Sequence, residues 1–182
     1  MDPMQMEPST MEKRMLRRAS AAQRPINGSL ELLPLCNMNC DMCYVRLSAR
    51  ETEAKGGLHT ADEWIGLGRE MQKAGVLFLL LTGGEPLLFP DFQKLYVELR
   101  QMGMILTVNT NGTLLDEGWA DFFGRYKPRR INITLYGADD SAYEKLCHYP
   151  GGFEKAKNAI RLLKDRGVDV KINGSVTRTS RS

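Results

Sequence analysis

Three cysteines stand within eight residues, Cys36, Cys40 and Cys43, at the spacing C-x3-C-x2-C. A loop this short can turn three sulfurs toward one point, and soft thiolates at one point select zinc, copper(I) or an iron–sulfur cluster. The count discriminates among these. Structural zinc takes four closed ligands, and no second Cys or His pair follows at zinc-ribbon spacing; a cubic [4Fe–4S] cluster held by three cysteines leaves one iron open to a further ligand. Thiols buried merely for packing have no reason to gather at this spacing. The fourth cysteine, Cys147, has no companion near it in sequence and reads as a spare thiol, while His59 and His148 flank helical segments and read as surface or capping residues.

Three further polar groups stand where apolar runs end. Thr82-Gly83-Gly84-Glu85-Pro86 offers two glycines that let backbone approach a ligand and a carboxylate able to accept hydrogen bonds from an ammonium, although Gly-Gly-x-Pro is equally a plain turn. Asn109-Thr110-Asn111-Gly112 and Thr134-Leu135-Tyr136-Gly137 supply amides and hydroxyls suited to a sugar or a carboxylate, and Asn-Gly is also a turn signal. Each is weak alone, and their common position gives them weight.

That position follows from the elements around them. From residue 29 onward short apolar runs alternate with longer amphipathic segments, the pattern of βα units building a parallel sheet. Strands are predicted at 29–34, 76–81, 104–109, 131–136 and 168–172. The continuous apolar character of 76–81 predicts a strand covered on both faces. Residues 48–57 read as a polar connection. The capping box Thr60-x-x-Glu63 opens a helix whose Trp64, Leu67, Met71 and Ala74 share a face and which Gly75 stops. Further helices are predicted at 91–102, 115–126, 140–147 and 153–166, the last two separated by Pro150-Gly151-Gly152. The cysteine loop and the polar groups then all follow the carboxyl ends of parallel strands, the active face of (β/α) barrels.

Composition narrows the partners. The chain has 182 residues, 42% of them hydrophobic, and a net charge of +3 with its basic residues scattered, which argues for a single globular domain and against a nucleic-acid partner. No apolar run approaches the roughly 18 residues needed to span a bilayer, and no apolar signal-peptide core opens the chain, so a cytoplasmic protein with reduced thiols is expected. Residues 1–24, with five methionines and five basic residues but no sustained periodicity, read as a flexible basic arm ahead of a core at 25–182. Five strands fall three short of a closed barrel, so the expectation is an open, partial TIM-like barrel, incomplete at its C-terminus and truncated from a longer protein.

Together, C-x3-C-x2-C after the first strand, Gly-Gly-Glu-Pro after the second, Thr-Asn-Gly after the third and Thr-Leu-x-Gly after the fourth resemble the radical S-adenosylmethionine (SAM) superfamily over residues 26–177. The segment Pro150-Gly151-Gly152-Phe153 leading into an Ala-Ile-Arg-Leu-Leu-Lys helix resembles the branch that carries a C-terminal auxiliary-cluster (SPASM) domain and modifies peptides. The resemblance implies that Cys36, Cys40 and Cys43 ligate a [4Fe–4S] cluster whose fourth iron is chelated by SAM. It further implies that Gly83, Gly84 and Glu85 bind the methionyl ammonium, that Thr110 and Thr134 sit near the methionine moiety or ribose, and that Met42 and Tyr44 contact adenine. The implied activity is reductive cleavage of SAM to a 5′-deoxyadenosyl radical that abstracts a hydrogen from a small-molecule or peptide substrate, with an electron donor such as flavodoxin or ferredoxin. The alternatives are a non-catalytic iron–sulfur electron carrier, which would need a fourth protein ligand, or an inactive remnant.

Overall fold

A computed structural model of the chain describes residues 10–174; the first nine residues of the expected arm and the polar end 177–182 lie outside the described residues. Five strands, β1 (Asn27–Glu31), β2 (Phe78–Thr82), β3 (Ile105–Thr110), β4 (Arg130–Leu135) and β5 (Val170–Gly174), form one sheet in the order β1-β2-β3-β4-β5, every neighbouring pair parallel. Helices α1 (Thr10–Ala21), α2 (Ala49–Ala54), α3 (Ala61–Ala74), α4 (Phe92–Gln101), α5 (Glu117–Arg125), α6 (Asp140–Cys147) and α7 (Gly152–Asp165) fill the connections. This is the expected partial (β/α) barrel sheet.

Leu79, Leu81, Leu106, Val108, Ile131 and Ile133 alternate along the central strands and are all buried in the main core with Leu95 and Leu99 of α4 and Leu162 and Leu163 of α7. The opposite face is not sealed as expected for the second strand: Phe78 and Leu80 are only half-buried, because the sheet curves around an open concave side.

Strand boundaries move for one recurrent reason. Gly75, Gly103 and Gly167 each take positive φ at a helix end, and the apolar residue that follows folds its amide back onto the helix: Val76 N donates to Met71 O, Met104 N to Leu99 O and Val168 N to Leu163 O. These are Schellman closures. Val76 and Val168 therefore belong to helix caps, and β2 and β5 begin two residues later than the apolar runs suggest. The strand expected at 29–34 behaves differently again. β1 stops at Glu31, and Leu32 and Leu33 dive into the core at 2% exposure each, carrying the chain under the cysteine loop.

Two segments expected to be irregular are helical. Residues 10–21 form α1, a run of Met, Glu, Lys, Arg, Leu and Ala with high helix propensity that lacks a broad apolar stripe; Glu12 ties it to Arg129 at 2.7 Å. Within the polar connection 48–57, Ser48 and Glu51 form a second capping box around the start of α2, equivalent to the Thr60-x-x-Glu63 box that correctly placed α3.

Candidate functional site

The carboxyl ends of β1 to β4 converge on a cavity of about 280 Å³. Its wall includes all three loop cysteines, Gly83 and Gly84 after β2, Thr110 at the end of β3, Thr134 in β4, and Met42 and Tyr44 from the cysteine loop. Nine of the ten side chains and glycines expected at the site are thus brought together, and Glu85 is not among them. Cys36 and Cys40 are half-buried, Cys43 and Met42 are exposed, and Tyr44 stands 91% exposed at the rim.

The glycine pair does its work against protein backbone. Gly84 N donates to Leu33 O at 2.7 Å and Glu85 N to Leu35 O at 2.9 Å, extending the β1–β2 pairing to the doorstep of Cys36. A Cβ on Gly84 would stand 2.2 Å from Leu35 O, and one on Gly83, at φ +143°, 2.5 Å from Leu33 O. Only residues without a Cβ let the two chains run this close.

Glu85 sits apart from the other nine. Its carboxylate does not line the cavity; it is fully buried beneath it, where Oε1 accepts from Thr110 Oγ1 (2.7 Å) and Leu87 N (3.1 Å) and Oε2 from Asn111 N (2.8 Å). The turn into Pro86–Leu88 carries the side chain beneath the cavity, where it knits the end of β2 to the end of β3. Burial raises its pKa to about 7 despite the three donors.

The cysteine loop is clamped from two sides. Toward β3, Asn111 Nδ2 donates to Asn37 Oδ1 (2.9 Å), Asn37 Nδ2 donates to Thr113 Oγ1 (2.8 Å), and Thr113 donates through N and Oγ1 to Asn111 Oδ1. Toward α6, Asn39 N donates to Cys147 O and Asp41 N to Leu146 O, both at 3.0 Å, so two carbonyls orphaned at a helix end are satisfied by the loop itself. His148, the left-handed cap of α6 at φ 51°, reaches Asp41 at 2.7 Å; its capping role is as expected, its tie to the loop is not. Asn37, Thr113 and the end of α6 carry no motif of their own, and only the fold reveals their part.

Each sulfur has its own donors. Met38 N approaches Cys36 Sγ at 3.4 Å with Asn111 Nδ2 at 3.8 Å, and Arg46 N approaches Cys43 Sγ at 3.4 Å. Burial raises the Cys36 pKa. Cys40 is instead held low, to about 7, first by the neighbouring Cys147 thiol and further by the Tyr136 hydroxyl. Cys147 itself is fully buried, and the neighbouring Cys40 together with burial pushes its pKa up.

The donor set fits an iron–sulfur cluster. Three thiols share one cavity wall, yet among the described residues no three His, Cys, Asp or Glu side chains converge tightly enough for a single ion. Three soft thiolates on the wall of one cavity suit a group with several metal atoms, each taking one sulfur. Cys147 lies off that wall.

Known proteins agree with this geometry. The family described as "Radical SAM superfamily" matches residues 30–179. A probable GTP 3′,8-cyclase of Pyrobaculum aerophilum is 28% identical over 144 residues, 79% of this chain and 45% of the relative. An AdoMet-dependent heme synthase of Nitratidesulfovibrio vulgaris is 28% identical over 148 residues, 81% of this chain and 40% of the relative. The crystal structure of Streptococcus suis SuiB bound to precursor peptide SuiA superposes with a TM-score of 0.73 at 16% identity, over 98% of this chain and 41% of SuiB. The chain spans less than half the length of each of the three. Because the family match runs through the cysteine loop and the ends of all five strands, the chain belongs to the radical SAM superfamily, whose members are enzymes that use a [4Fe–4S] cluster and S-adenosylmethionine.

Proposed function

We propose that this chain is the core of a radical SAM enzyme acting in peptide or cofactor maturation, with Cys36, Cys40 and Cys43 as the cluster ligands. The observation that carries the reading is the single cavity on which three thiols, two glycines and two strand-end hydroxyls meet. When bound, cluster and SAM supply a one-electron reductive cleavage that yields a 5′-deoxyadenosyl radical able to take a hydrogen atom from a substrate.

The chain's own residues hold and screen that chemistry. Met38, Asn111 and Arg46 direct donors at the ligand sulfurs, stabilising their charge. Among the residues lining the cavity, Gly83 and Gly84 would hold the methionyl group, Thr110 and Thr134 would offer hydroxyl oxygens to the methionine moiety or ribose, and Met42 and Tyr44 would contact the adenine. Glu85 acts from below, fixing Thr110 and the Asn111 amide in place. One relative is named a heme synthase, another a probable GTP 3′,8-cyclase, and SuiB was solved with a peptide, which supports both substrate classes. A one-electron donor of the flavodoxin or ferredoxin type and a cytoplasmic setting complete the proposal; no helix among the described residues is long and apolar enough to cross a membrane.

Anaerobic reconstitution with iron and sulfide, followed by electron paramagnetic resonance of the reduced protein with and without SAM, tests the reading. A cluster signal that changes on adding SAM is expected. A signal indifferent to SAM would leave only an electron carrier.

A further inference from the structure

The concave face of the sheet continues past the cysteine cavity toward the amino ends of the strands, where a further cavity of about 520 Å³ opens. Phe78 and Leu80 of β2, both half-buried, give it an apolar floor, and Ser29 of β1, Thr107 of β3 and Asn132 of β4 set neutral polar groups around them. Parallel register puts these residues on one face: Ser29 pairs with Leu80, Leu80 with Thr107 and Asn109 with Asn132. The two cavities meet at one hydrogen bond. Asn109 lines the upper cavity and Asn132 the lower, and Asn132 Nδ2 donates to Asn109 Oδ1 at 2.7 Å. The other atom of the same amide, Asn132 Oδ1, is buried with no hydrogen-bond partner. Such acceptors are uncommon in folded proteins. The terminal torsion of asparagine is broad, so a modest turn of the amide offers this oxygen to a donor in the cavity. Charge is scarce. Among the described residues lining the lower cavity Arg129 alone is charged, and its guanidinium pairs with Glu12 at 2.7 Å and lies over the Phe78 ring at 4.9 Å. Arg130, in register with Thr107, is held by Asp169 at 2.8 Å.

We propose that the lower cavity is a substrate subsite for an uncharged, amide-bearing segment, with Asn132 and Thr107 as specificity-determining residues. The inference rests on the proposed function and narrows its two substrate classes to the peptide. A peptide carries amide N–H and C=O groups beside aliphatic side chains, which suits neutral polar groups set around an apolar floor. A nucleotide or a carboxylate-rich small molecule would need cations to replace its hydration, and the one guanidinium on this wall is already engaged by a carboxylate. The junction of the cavities gives the direction. Thr82 lines the upper cavity and Leu80, two residues back along β2, the lower. The reacting carbon therefore belongs above, with the cysteines, and the segment leading away from it passes over the Asn109–Asn132 bond onto Leu80 and Phe78.

The test is saturation-transfer NMR on the anaerobically reconstituted 182-residue chain. N-acetyl-leucine methylamide is the probe and N-acetyl-leucine, a carboxylate of similar shape, its charged counterpart; the proteins are the wild type, Asn132→Leu and Thr107→Val, with circular dichroism to confirm folding. The amide is expected to bind saturably and more tightly than the carboxylate. Each variant should weaken amide binding by a factor of about three to ten, the worth of one neutral hydrogen bond. Amide affinity unchanged in whichever variants fold would overturn the inference, as would the absence of saturable amide binding to the wild type. Tighter binding of the carboxylate to the wild type would also overturn it, by making the cavity an anion site, and that comparison needs no variant. Electron paramagnetic resonance of the same wild-type preparation separates the two levels of argument. A cluster that ignores SAM defeats the functional reading whatever the probe does, whereas a SAM-responsive cluster in a chain that does not bind the amide defeats the subsite alone.

Discussion

Replacing Gly84 by alanine tests whether the glycine pair exists to bring two backbones together. The added Cβ would stand 2.2 Å from Leu35 O, 2.7 Å from Leu35 C and 2.9 Å from Pro34 O, all main-chain atoms with no side chain to swing away. Carbon and carbonyl oxygen rest at about 3.3 Å or more, so the segments must part by on the order of 1 Å. That displacement stretches two hydrogen bonds beyond useful length, Gly84 N to Leu33 O at 2.7 Å and Glu85 N to Leu35 O at 2.9 Å. At about 0.5–1.5 kcal/mol per bond the loss is about 1–3 kcal/mol, or a fall in Tm of about 2–12 °C for a chain of this size. Because Leu35 precedes Cys36, the variant should also bind less iron after reconstitution. Urea unfolding of the cluster-free chain and an iron assay read the two effects separately. The comparison is Gly66→Ala, where a Cβ meets nothing within 4 Å in the middle of α3, so that the same substitution should stabilise by about 0.8–1.0 kcal/mol through helix propensity. A Gly84→Ala protein with wild-type stability and wild-type iron would refute the close-approach argument.

Cys36→Ala, Cys40→Ala and Cys43→Ala should each abolish a stable cluster, measured as iron and sulfide per chain, whereas Cys147→Ala should not. Asn111→Ala removes the acceptor of Thr113 N and Oγ1 and the donor to Asn37; at the usual net worth of such bonds the cluster-free chain should lose about 2–3 kcal/mol in urea unfolding. Glu85 predicts a pH dependence. Burial moves its folded pKa from 4.5 to about 7, so the folded chain keeps a proton that the unfolded chain releases, and the stability present below pH 4.5 is lost as pH rises through 7. The span is at most about 3 kcal/mol; unfolding free energies of Glu85→Gln measured between pH 4.5 and 8 should lack that slope, and an identical slope would show that another group titrates.

The order of elements and the residues that share the cavity were legible in the sequence because both rest on local signals. A capping box needs two residues three apart, and a cysteine loop needs three sulfurs within eight positions; neither depends on what packs against it. Ser48-x-x-Glu51 carried the same signal as Thr60-x-x-Glu63, and composition alone made it look like a polar connection. The early placement of β2 and β5 has a comparable origin. An apolar residue after a glycine looks like the first residue of a strand, and whether its amide joins the sheet or folds back onto the helix is decided in three dimensions.

What could not be read are the long-range partners. Nothing in Gly-Gly-Glu distinguishes a carboxylate facing a ligand from one sealed beneath it, because the deciding groups, Thr110 and the Asn111 amide, lie 25 and 26 residues away. Cys147 is the sharper case. In sequence it is isolated from the other thiols by more than a hundred residues and reads as spare. In the fold, the end of α6 brings it against the cysteine loop, along with two carbonyls for the loop amides and His148 for Asp41. The connection after β4 thus serves the cysteine loop that follows β1. The prediction is that a change at the start of α6 is felt at the cysteines: Asp139→Ala removes the cap that accepts from Ala142 N. It should cost about 1 kcal/mol in global stability, and should lower iron uptake more than a loss of the same size produced at Asp116, the cap of α5, a helix with no hydrogen bond to the loop.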